Sequence, residues 1–433
     1  RSQICAAVAA AALAGACALL GPRPVPPDAL AELAGRAERA RGLRFEAPID
    51  ARVVSPRRLR GLLADELDAG LRREDFARAE AVGQALGLFP PAFDLRAALL
   101  ELQADTVAGF YTPLRQRLVL VVDGSLDAAL ASGVDQIAVH ELVHALQDSH
   151  TQLLAVLLGL DDHDDLAFAL GALLEGDAVL AAFRDREARG GRAVPTPAEY
   201  ARGFAGEPED GEAALPRFLR ESYLQQYPLG YAYASALVQE GGADALDAAL
   251  RDPPLSSEAL LDFAAAHAEG RRAASPPALP FLDLDPATLG CGANAALGRN
   301  TFGELGLQAF AAERGASRER AAAAADGWDG DRAVALACGA EEAAFAWLVQ
   351  LDTELDAAEL ATLAASTLRP GETIEREGRR VLLARGLAPD ARRAALAAPA
   401  RSFASLDAYL AARPGILERA ARLRRVAGPA ARP

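Results

Sequence analysis

Two histidines four residues apart constrain this chain more than any other feature of its sequence. They are His140 and His144, in the string VHELVHALQD, and they are two of only five histidines among 433 residues. Residues four apart lie on one face of an α-helix, so both imidazoles can reach one metal ion. Glu141 projects about 100° further around that helix. It can therefore lie beside the ion without binding it and take a proton from an attacking water.

A catalytic zinc needs a third protein ligand and one open position. Glu175 is the strongest candidate, because it is an acidic residue in the otherwise apolar helical run 167–183. A buried unpaired charge is costly there, and a metal would offset that cost; an exposed helical glutamate is the alternative. Asp177 faces another side of the helix and is expected to support a ligand or cap the helix. The other candidates for the third ligand are His150, His163 and His267.

The surroundings of the histidine pair favour a helix docked beside a cleft over an ordinary structural helix, the alternative reading. Ile137, Leu142 and Leu146 form an apolar set that can dock the helix while the histidine face points to the cleft. Just upstream, 108–123 predicts a hairpin whose second strand is 117–122. A strand there offers a sheet edge beside the metal, which can hold an extended peptide through main-chain hydrogen bonds.

The whole chain is predicted to be α+β and predominantly helical. Helical periodicity covers 29–41, 56–86, 128–148 and 165–189. An exposed loop is expected over 190–216, then helices over 229–240 and 243–251, interrupted at Gly241 and Gly242. The Pro-rich stretch 275–280 is the best domain boundary. We therefore expect a linker and N-terminal helix over 21–46, a domain with the histidine helix over 47–280, and a smaller α+β domain over 281–433.

Residues 1–20 have the outline of a secretory signal. Arg1 is followed by an apolar run that is shorter and richer in Ala than the ~20 strongly apolar residues of a membrane span. The string LAGAC is similar to a bacterial lipoprotein processing site, at which Cys17 would become the lipidated first residue; simple secretion is the alternative. The protein is therefore expected in the cell envelope, in the periplasm or at the outer membrane, or outside the cell.

The remaining cysteines and the charge agree with export and limit the partners. Cys291 and Cys338 are left as a pair that an oxidising compartment allows to join, with two unlinked buried thiols as the alternative. The net charge of −15 excludes nucleic acid and an anionic membrane surface as partners. A membrane contact is then expected only through the lipid anchor, and a peptide or protein is the expected substrate.

The motif set resembles the gluzincin zinc peptidases of the thermolysin and aminopeptidase N type, through His140-Glu-x-x-His144 and the later Glu175-Gly-Asp-Ala178. The gap of 31 positions between His144 and Glu175 is longer than in either type. A nearer resemblance, over most of the chain, is to a group of bacterial exported proteins. They share Gly109-Phe-Tyr111, His140–Asp148, Glu175–Ala178, Tyr227–Gly230, Pro253–Glu258 and Gly327–Asp331. The resemblance implies a zincin-like metallopeptidase domain with a small sheet and an appended C-terminal domain.

The resemblance also implies a role for Tyr227. Tyr227-Pro-Leu-Gly230 is similar to the Tyr-x-x-Gly element of the aminopeptidases, whose tyrosine meets the charge that develops on the carbonyl oxygen. An ordinary half-buried tyrosine is the alternative, and Tyr223, Tyr231 and Tyr233 are close neighbours. Pro228 predicts that the helix begins one residue after Tyr227. Trp328 and Asp331 are expected to form a turn and packing element of the C-terminal domain.

Together these features predict an exported, lipid-anchored endopeptidase that depends on zinc. His140, His144 and Glu175 would bind Zn²⁺, Glu141 would activate water, and Tyr227 would stabilise the oxyanion. The alternative is a non-enzymatic envelope lipoprotein that uses a peptidase-like fold as a binding or assembly module. Glu141 favours the enzyme, because a binding module has no need of a water-activating base.

Overall fold

A computed structural model describes residues 21–106, 108–204, 215–268, 279–292, 294–338 and 344–427. This part of the chain is mostly helical with small sheets, which confirms the predicted α+β, predominantly helical class. The predicted signal with Cys17 lies outside the described residues. So do residues 205–214 of the predicted loop and residues 275–278 of the predicted boundary.

Helices supply most of the regular structure. Those before residue 270 are α1 Pro27–Arg41, α2 Pro56–Gly70, α3 Arg73–Leu86, α4 Leu95–Thr106, α5 Leu126–Ala129, α6 Asp135–His150, α7 Leu153–Gly159, α8 Asp164–Ala188, α9 Pro197–Ala201, α10 Arg217–Leu224, α11 Gln226–Arg251 and α12 Ser257–Ala268. The later ones are α13 Gly303–Glu313, α14 Arg318–Ala325, α15 Glu354–Ala365, α16 Pro389–Leu396, α17 Leu406–Ala412 and α18 Gly415–Ala427. A π-helical turn, Leu130–Val134, leads into α6, and a 3₁₀ turn, Arg202–Phe204, follows α9.

The strands form three separate sheets. They are β1 Arg23–Pro24, β2 Asp50–Val54, β3 Gly109–Thr112, β4 Arg117–Val121, β5 Leu279–Leu282, β6 Ala296–Asn300, β7 Trp328–Leu336, β8 Ala344–Leu351, β9 Glu372–Glu377, β10 Arg380–Arg385 and β11 Ala400–Phe403. The first sheet has the order β1-β2-β4-β3, in which only the β2–β4 pair is parallel. The second is antiparallel with the order β6-β7-β8-β10-β9, and β5 pairs with β11 in the third.

The predicted hairpin is confirmed, but the predicted sheet edge is wrong. β3 and β4 pair antiparallel, with Gly109 opposite Leu120 and Thr112 opposite Arg117. β4 lies between β2 and β3, so its backbone groups are paired on both sides. The edge strand is therefore β3, the first strand of the hairpin, and its open side is available to an extended chain.

The helix α6 docks on this first sheet through its apolar face. Leu142 and Leu146 are fully buried against Leu118 and Leu120 of β4, in one core cluster. Ile137, the third residue of the predicted docking set, is only half-buried and lines a cleft. The opposite face of α6, which carries the histidines, is turned away from the sheet. The apolar periodicity of the segment thus determines which face of the helix meets the cleft.

The helix α8 passes through the centre of the protein and packs closely against α11. A Cβ atom at Gly176 would lie 2.0 Å from the carbonyl oxygen of Gly230, and one at Gly230 would lie 1.8 Å from that of Ala172. The two backbones therefore touch at glycines, and any side chain there would force the helices apart. Among the described helices, α8 alone is long and apolar enough to cross a membrane, but most of it is buried, as expected of a core helix.

The start of α11 differs from the prediction. The helix begins at Gln226, one residue before Tyr227, and not after it. Pro228 occupies the first turn, where its missing N–H would have had no helical partner, so the proline is tolerated there. Further along, Gly242 has a left-handed φ of 69° and interrupts the helix, in agreement with the predicted break.

The apolar cores continue across residue 280. The core around α8 includes Leu305, Tyr409 and Ile416 from the later part of the chain. A second core packs residues of α3 against Trp328 and Trp347 of the five-stranded sheet. The predicted domain boundary thus divides the sequence at a point where the packing is continuous, and the later elements support the earlier ones.

Two predictions about the C-terminal part are confirmed. Asp331 is a packing element: its buried carboxylate accepts hydrogen bonds from the indole nitrogens of Trp328 and Trp347, at 3.1 and 2.8 Å, as well as from backbone amides. Cys291 and Cys338 form a disulfide with their Cα atoms 5.6 Å apart. The bridge joins the chain before β6 to the chain after β7.

Candidate metal centre and active site

The structure brings His140, His144 and Glu175 together at one point. The two histidines project from α6 and Glu175 projects from α8, which packs beside it. The Nε2 atoms of the histidines are 3.1 Å apart. Glu175 Oε2 lies 3.2 Å from His140 Nε2 and 3.5 Å from His144 Nε2. Among the described residues, this is the only group of histidine, cysteine and carboxylate side chains close enough to share a metal ion.

The spacing of these three atoms fits a tetrahedral metal. Ligands about 2.0–2.1 Å from an ion, at tetrahedral angles, are about 3.3 Å from one another. The three observed separations of 3.1, 3.2 and 3.5 Å lie on either side of that value. In addition, Glu175 Oε2 is buried without a hydrogen-bond partner in the described part of the chain. A divalent cation bound there would satisfy all three atoms.

The electrostatics of the trio also favour a cation. Burial by itself lowers the pKa of His144, but the Glu175 carboxylate outweighs burial and raises that pKa to about 9. Burial raises the pKa of Glu175, and the two imidazoles reverse this and hold it well below its usual range. The carboxylate is therefore charged, and the space between the three side chains attracts positive charge.

A buried amide determines which nitrogen of His144 faces the trio. Gln147 donates its Nε2 hydrogens to the carbonyl of Leu174 and to Asp177, at 3.0 and 2.9 Å. Both partners are acceptors only, so the Gln147 Oε1 atom must point to His144 Nδ1, 2.8 Å away. Nδ1 then carries the proton and donates it, which leaves the Nε2 lone pair free to bind a metal.

Asp177 supports this arrangement from behind, as predicted for a residue that is not a ligand. Its carboxylate forms a buried ion pair with Arg41 of α1, with Nε and Oδ1 2.6 Å apart. Arg41 in turn contacts Asp247 of α11 at 2.5 Å. The negative charge of Asp177 is thereby compensated, and its oxygen can orient Gln147 without drawing the metal away.

Glu141 lies beside the trio and contacts the edge strand. Its Oε2 accepts a hydrogen bond from the backbone N–H of Tyr111, at 2.8 Å, and its Oε1 lies 3.9 Å from His140 Nε2. Burial raises the pKa of Glu141, partly countered by the two histidines. A carboxylate in this position can accept a proton at a pH closer to neutrality than an exposed glutamate can.

A second hydrogen-bonded chain holds Tyr111 in place. The Tyr111 hydroxyl donates to Asp148 at the end of α6, at 2.8 Å. The other oxygen of Asp148 accepts from Arg424 of α18, at 2.5 Å. Burial, together with the Asp148 charge, raises the pKa of Tyr111 far above its usual value, so the hydroxyl stays protonated. The last described helix is thus connected to the residue that contacts Glu141.

Tyr227 lines the same cleft as His140, Glu141 and Glu175. Its ring stacks parallel to Phe204, with the centroids 6.1 Å apart and the planes inclined by 10°. Burial, with the nearby charges of Glu175 and Glu141, raises the pKa of Tyr227 well above its usual value. The hydroxyl is therefore a donor at any neutral pH. Gly230, one turn further along α11, packs on Gly176 beside Glu175, so the glycine contact fixes the two side chains relative to each other.

The remaining histidines lie elsewhere. His150 bonds the carbonyl of Arg44 at the surface. His163 is the buried N-cap of α8, where its Nδ1 accepts from the Leu166 N–H at 3.2 Å, and burial lowers its pKa to about 3. His267 stacks on Phe263. The structure therefore places Glu175, and none of these three histidines, beside the His140–His144 pair.

Sequence reasoning missed four residues that surround the site: Gln147, Tyr111, Asp148 and Arg424. Gln147 follows His144 by three residues on the same helix, so the spacing of the motif could have identified it. Asp148 was part of the motif but received no role. Tyr111 and Arg424 act through contacts across the fold, and a single sequence carries no signal for such pairs.

Comparison with known proteins identifies little more than a shared segment. Residues 293–396 match a family described as a domain of unknown function, DUF8575. This match covers the five-stranded sheet and its helices and does not include the cleft. The comparisons with curated proteins and with solved structures returned no match.

Proposed function

We propose that this protein is a zinc-dependent endopeptidase of the gluzincin type, on a zincin-like fold, exported and attached to the cell envelope by a lipid. The observation that carries the proposal is the convergence of His140, His144 and Glu175, at the separations of tetrahedral ligands, beside Glu141 and an open sheet edge. Two imidazoles and one carboxylate are the donors that zinc takes in peptidases of this type.

Zinc supplies electrophilic catalysis when bound, by polarising the scissile carbonyl and by making a water molecule more acidic. The protein residues do the remaining work. Glu141 accepts the proton of the attacking water on its carboxylate and delivers it to the nitrogen of the leaving amine. The raised pKa of Glu141 makes it able to hold that proton between the two transfers.

Tyr227 is proposed to donate its hydroxyl to the oxyanion. Negative charge develops on the carbonyl oxygen as the water attacks, and a donor in a cleft from which water is excluded stabilises that charge most. The raised pKa of Tyr227 keeps the hydroxyl protonated, and Phe204 holds the ring in place by stacking. The strand β3 is proposed to bind the substrate main chain along its open side.

Export agrees with the disulfide between Cys291 and Cys338, because such bonds persist in oxidising compartments. The negative net charge agrees with a protein that contacts the membrane through an anchor and not through its surface. Lipidation at Cys17 is tested by mass spectrometry of the mature N-terminus, which would carry a diacylglyceryl group.

The central test combines metal analysis with two substitutions. We expect about one zinc per chain, hydrolysis of casein or a peptide library at neutral pH, and loss of both in His144→Ala. Glu141→Gln should retain the zinc and lose hydrolysis. Glu240→Gln, at an exposed glutamate of α11, is the matched control and should behave as the wild type.

Two results would contradict the proposal. One is a folded protein that takes up no zinc, and the other is full hydrolysis by Glu141→Gln. Tight binding of peptides with no cleavage at full zinc occupancy would instead support the envelope binding module, the alternative function.

A further inference from the structure

The cleft has two halves of different chemistry, one on each side of the metal ligands. Both halves share Gly109, His140, Glu141 and Tyr227 as lining residues. The first, here called the aliphatic pocket, has a volume of about 460 Å³ and the second, the aromatic pocket, about 480 Å³. Each lies within the size range of ligand-binding pockets. A chain that lies along β3 can therefore place a side chain in each half.

Leucines form the aliphatic pocket. They come from α2, α7 and α8, and include Leu67, Leu71, Leu154, Leu157 and Leu174. The one further charged residue in this half is Glu66, which already accepts hydrogen bonds from Thr112 at 2.6 Å and from Arg115 at 2.5 Å. Its charge is thus compensated, and the pocket offers an apolar surface to a ligand.

Aromatic rings form the other half. Phe183, Tyr200, Phe204 and Tyr227 line it, and they contact one another in sequence. The Phe183 and Tyr200 centroids are 5.5 Å apart, and those of Tyr200 and Phe204 are 5.2 Å apart, both edge to face. Such a wall favours an aromatic or large apolar side chain, because rings gain energy from these offset and edge-on contacts beyond their burial.

The charges of the cleft argue against a chain terminus as its ligand. Among the described lining residues there is no arginine or lysine that could bind an α-carboxylate. The acidic lining residues are Glu66, which is paired, and Glu141 and Glu175, which belong to the proposed catalytic centre. An α-amine thus finds no spare carboxylate, and acidic side chains are repelled.

From this geometry we infer the substrate class: internal segments of extended polypeptides, cleaved between an aliphatic side chain on one side and an aromatic or large apolar one on the other. The inference rests on the proposed peptidase function. Such segments are buried in folded proteins and become accessible in unfolded ones. The expected substrates are therefore unfolded or misfolded chains in the compartment to which the protein is exported.

The first experiment uses internally quenched peptides of one length with blocked ends. The parent has Leu and Phe at the two central positions, and its relatives carry Ser or Asp at one position or the other. Zinc-loaded wild-type protein should cleave the parent between Leu and Phe about 10- to 100-fold more efficiently than either Ser peptide, and the Asp peptides less still. Mass spectrometry of the products identifies the bond.

Two variants connect each preference to its pocket. Leu157→Gln should reduce the preference at the aliphatic position alone, and Phe204→Ser at the aromatic position alone. The matched control is Leu355→Gln, since Leu355 is 68% exposed on α15, far from the cleft in sequence and outside its lining. Its preferences should equal those of the wild type.

Binding is measured separately on the Glu141→Gln variant, with labelled versions of the same peptides and fluorescence anisotropy. Selective binding of the Leu-Phe peptide without cleavage by the wild type would support the inferred preference and contradict the peptidase. Cleavage with equal efficiency for the Leu-Phe and Ser peptides, or a preference for charged residues or free termini, would overturn the inference and leave the peptidase intact.

Discussion

Replacement of Gly176 by alanine tests whether the contact between α8 and α11 positions the catalytic groups. The new Cβ atom would lie 2.0 Å from the Gly230 carbonyl oxygen, whereas real Cβ atoms essentially never come within 3.0 Å of such a neighbour. The obstacle is backbone, which cannot rotate away. The two helices must therefore separate by about 1 Å at this point, and Glu175 must move relative to Tyr227.

The stability and the activity should respond differently. Overpacking costs ~1–3 kcal/mol, and alanine recovers about 1 kcal/mol of helix propensity, so the free energy of unfolding should fall by no more than about 2 kcal/mol. A displacement of 1 Å between catalytic groups lowers activity on the order of 100-fold. We therefore expect a folded protein with strongly reduced peptide hydrolysis.

The assay measures kcat/KM on one quenched peptide, zinc content, and urea unfolding for each variant. Gly230→Ala should behave similarly, because its Cβ would lie 1.8 Å from the Ala172 carbonyl oxygen. Gly61→Ala in α2 is the control, since its Cβ would meet nothing within 4 Å; it should gain ~0.5–1 kcal/mol with unchanged activity. Wild-type activity in Gly176→Ala, with the stability gain of the control, would refute the reasoning.

Three further predictions follow from other contacts. Gln147→Met should lower zinc affinity about 10- to 100-fold, measured by competition with a chelator, and unchanged affinity would contradict the proposed orientation of the ligand ring. The double substitution Cys291→Ser and Cys338→Ser opens a loop with a sequence separation of 47 residues; it should cost about 4 kcal/mol on the loop-entropy estimate, and equal urea midpoints would disprove this. Burial raises the pKa of Glu258 to about 9 and that of Glu304 to about 8, so the folded protein retains protons that the unfolded chain loses. The free energy of unfolding should therefore fall as the pH rises from about 5 to 8, by up to about 1.4 kcal/mol per pH unit for each carboxyl; Glu304→Gln should flatten this decline, and parallel profiles would contradict it.

Local periodicity and spacing were enough to predict the elements that carry the candidate site. The helices α6 and α8, the hairpin β3–β4 and the close approach of His140, His144 and Glu175 all follow from residues near one another in sequence. An acidic residue in an apolar helix is a strong signal, because burial without a partner is so costly. The roles of these residues remain predictions.

Features that depend on pairing across the fold could not be predicted in the same way. Which strand of the hairpin forms the sheet edge depends on β2, which reaches β4 from a distant part of the sequence. The start of α11 depends on tolerance of Pro228 in its first turn, for which the sequence offers two equivalent solutions. The link from Arg424 to Asp148 joins residues 276 positions apart, and no local pattern marks it.

That link has a consequence for the biogenesis of the protein. Chains emerge from the ribosome in order, so α18 is made after every other helix described, and with it Arg424. Until then Asp148 has no guanidinium partner, and the Tyr111 backbone beside Glu141 lacks its full support. A hydrolase assembled in this sequence acquires its complete cleft only when synthesis and translocation of these elements are finished. Newly exported, still unfolded copies of the same chain would then be spared while they fold.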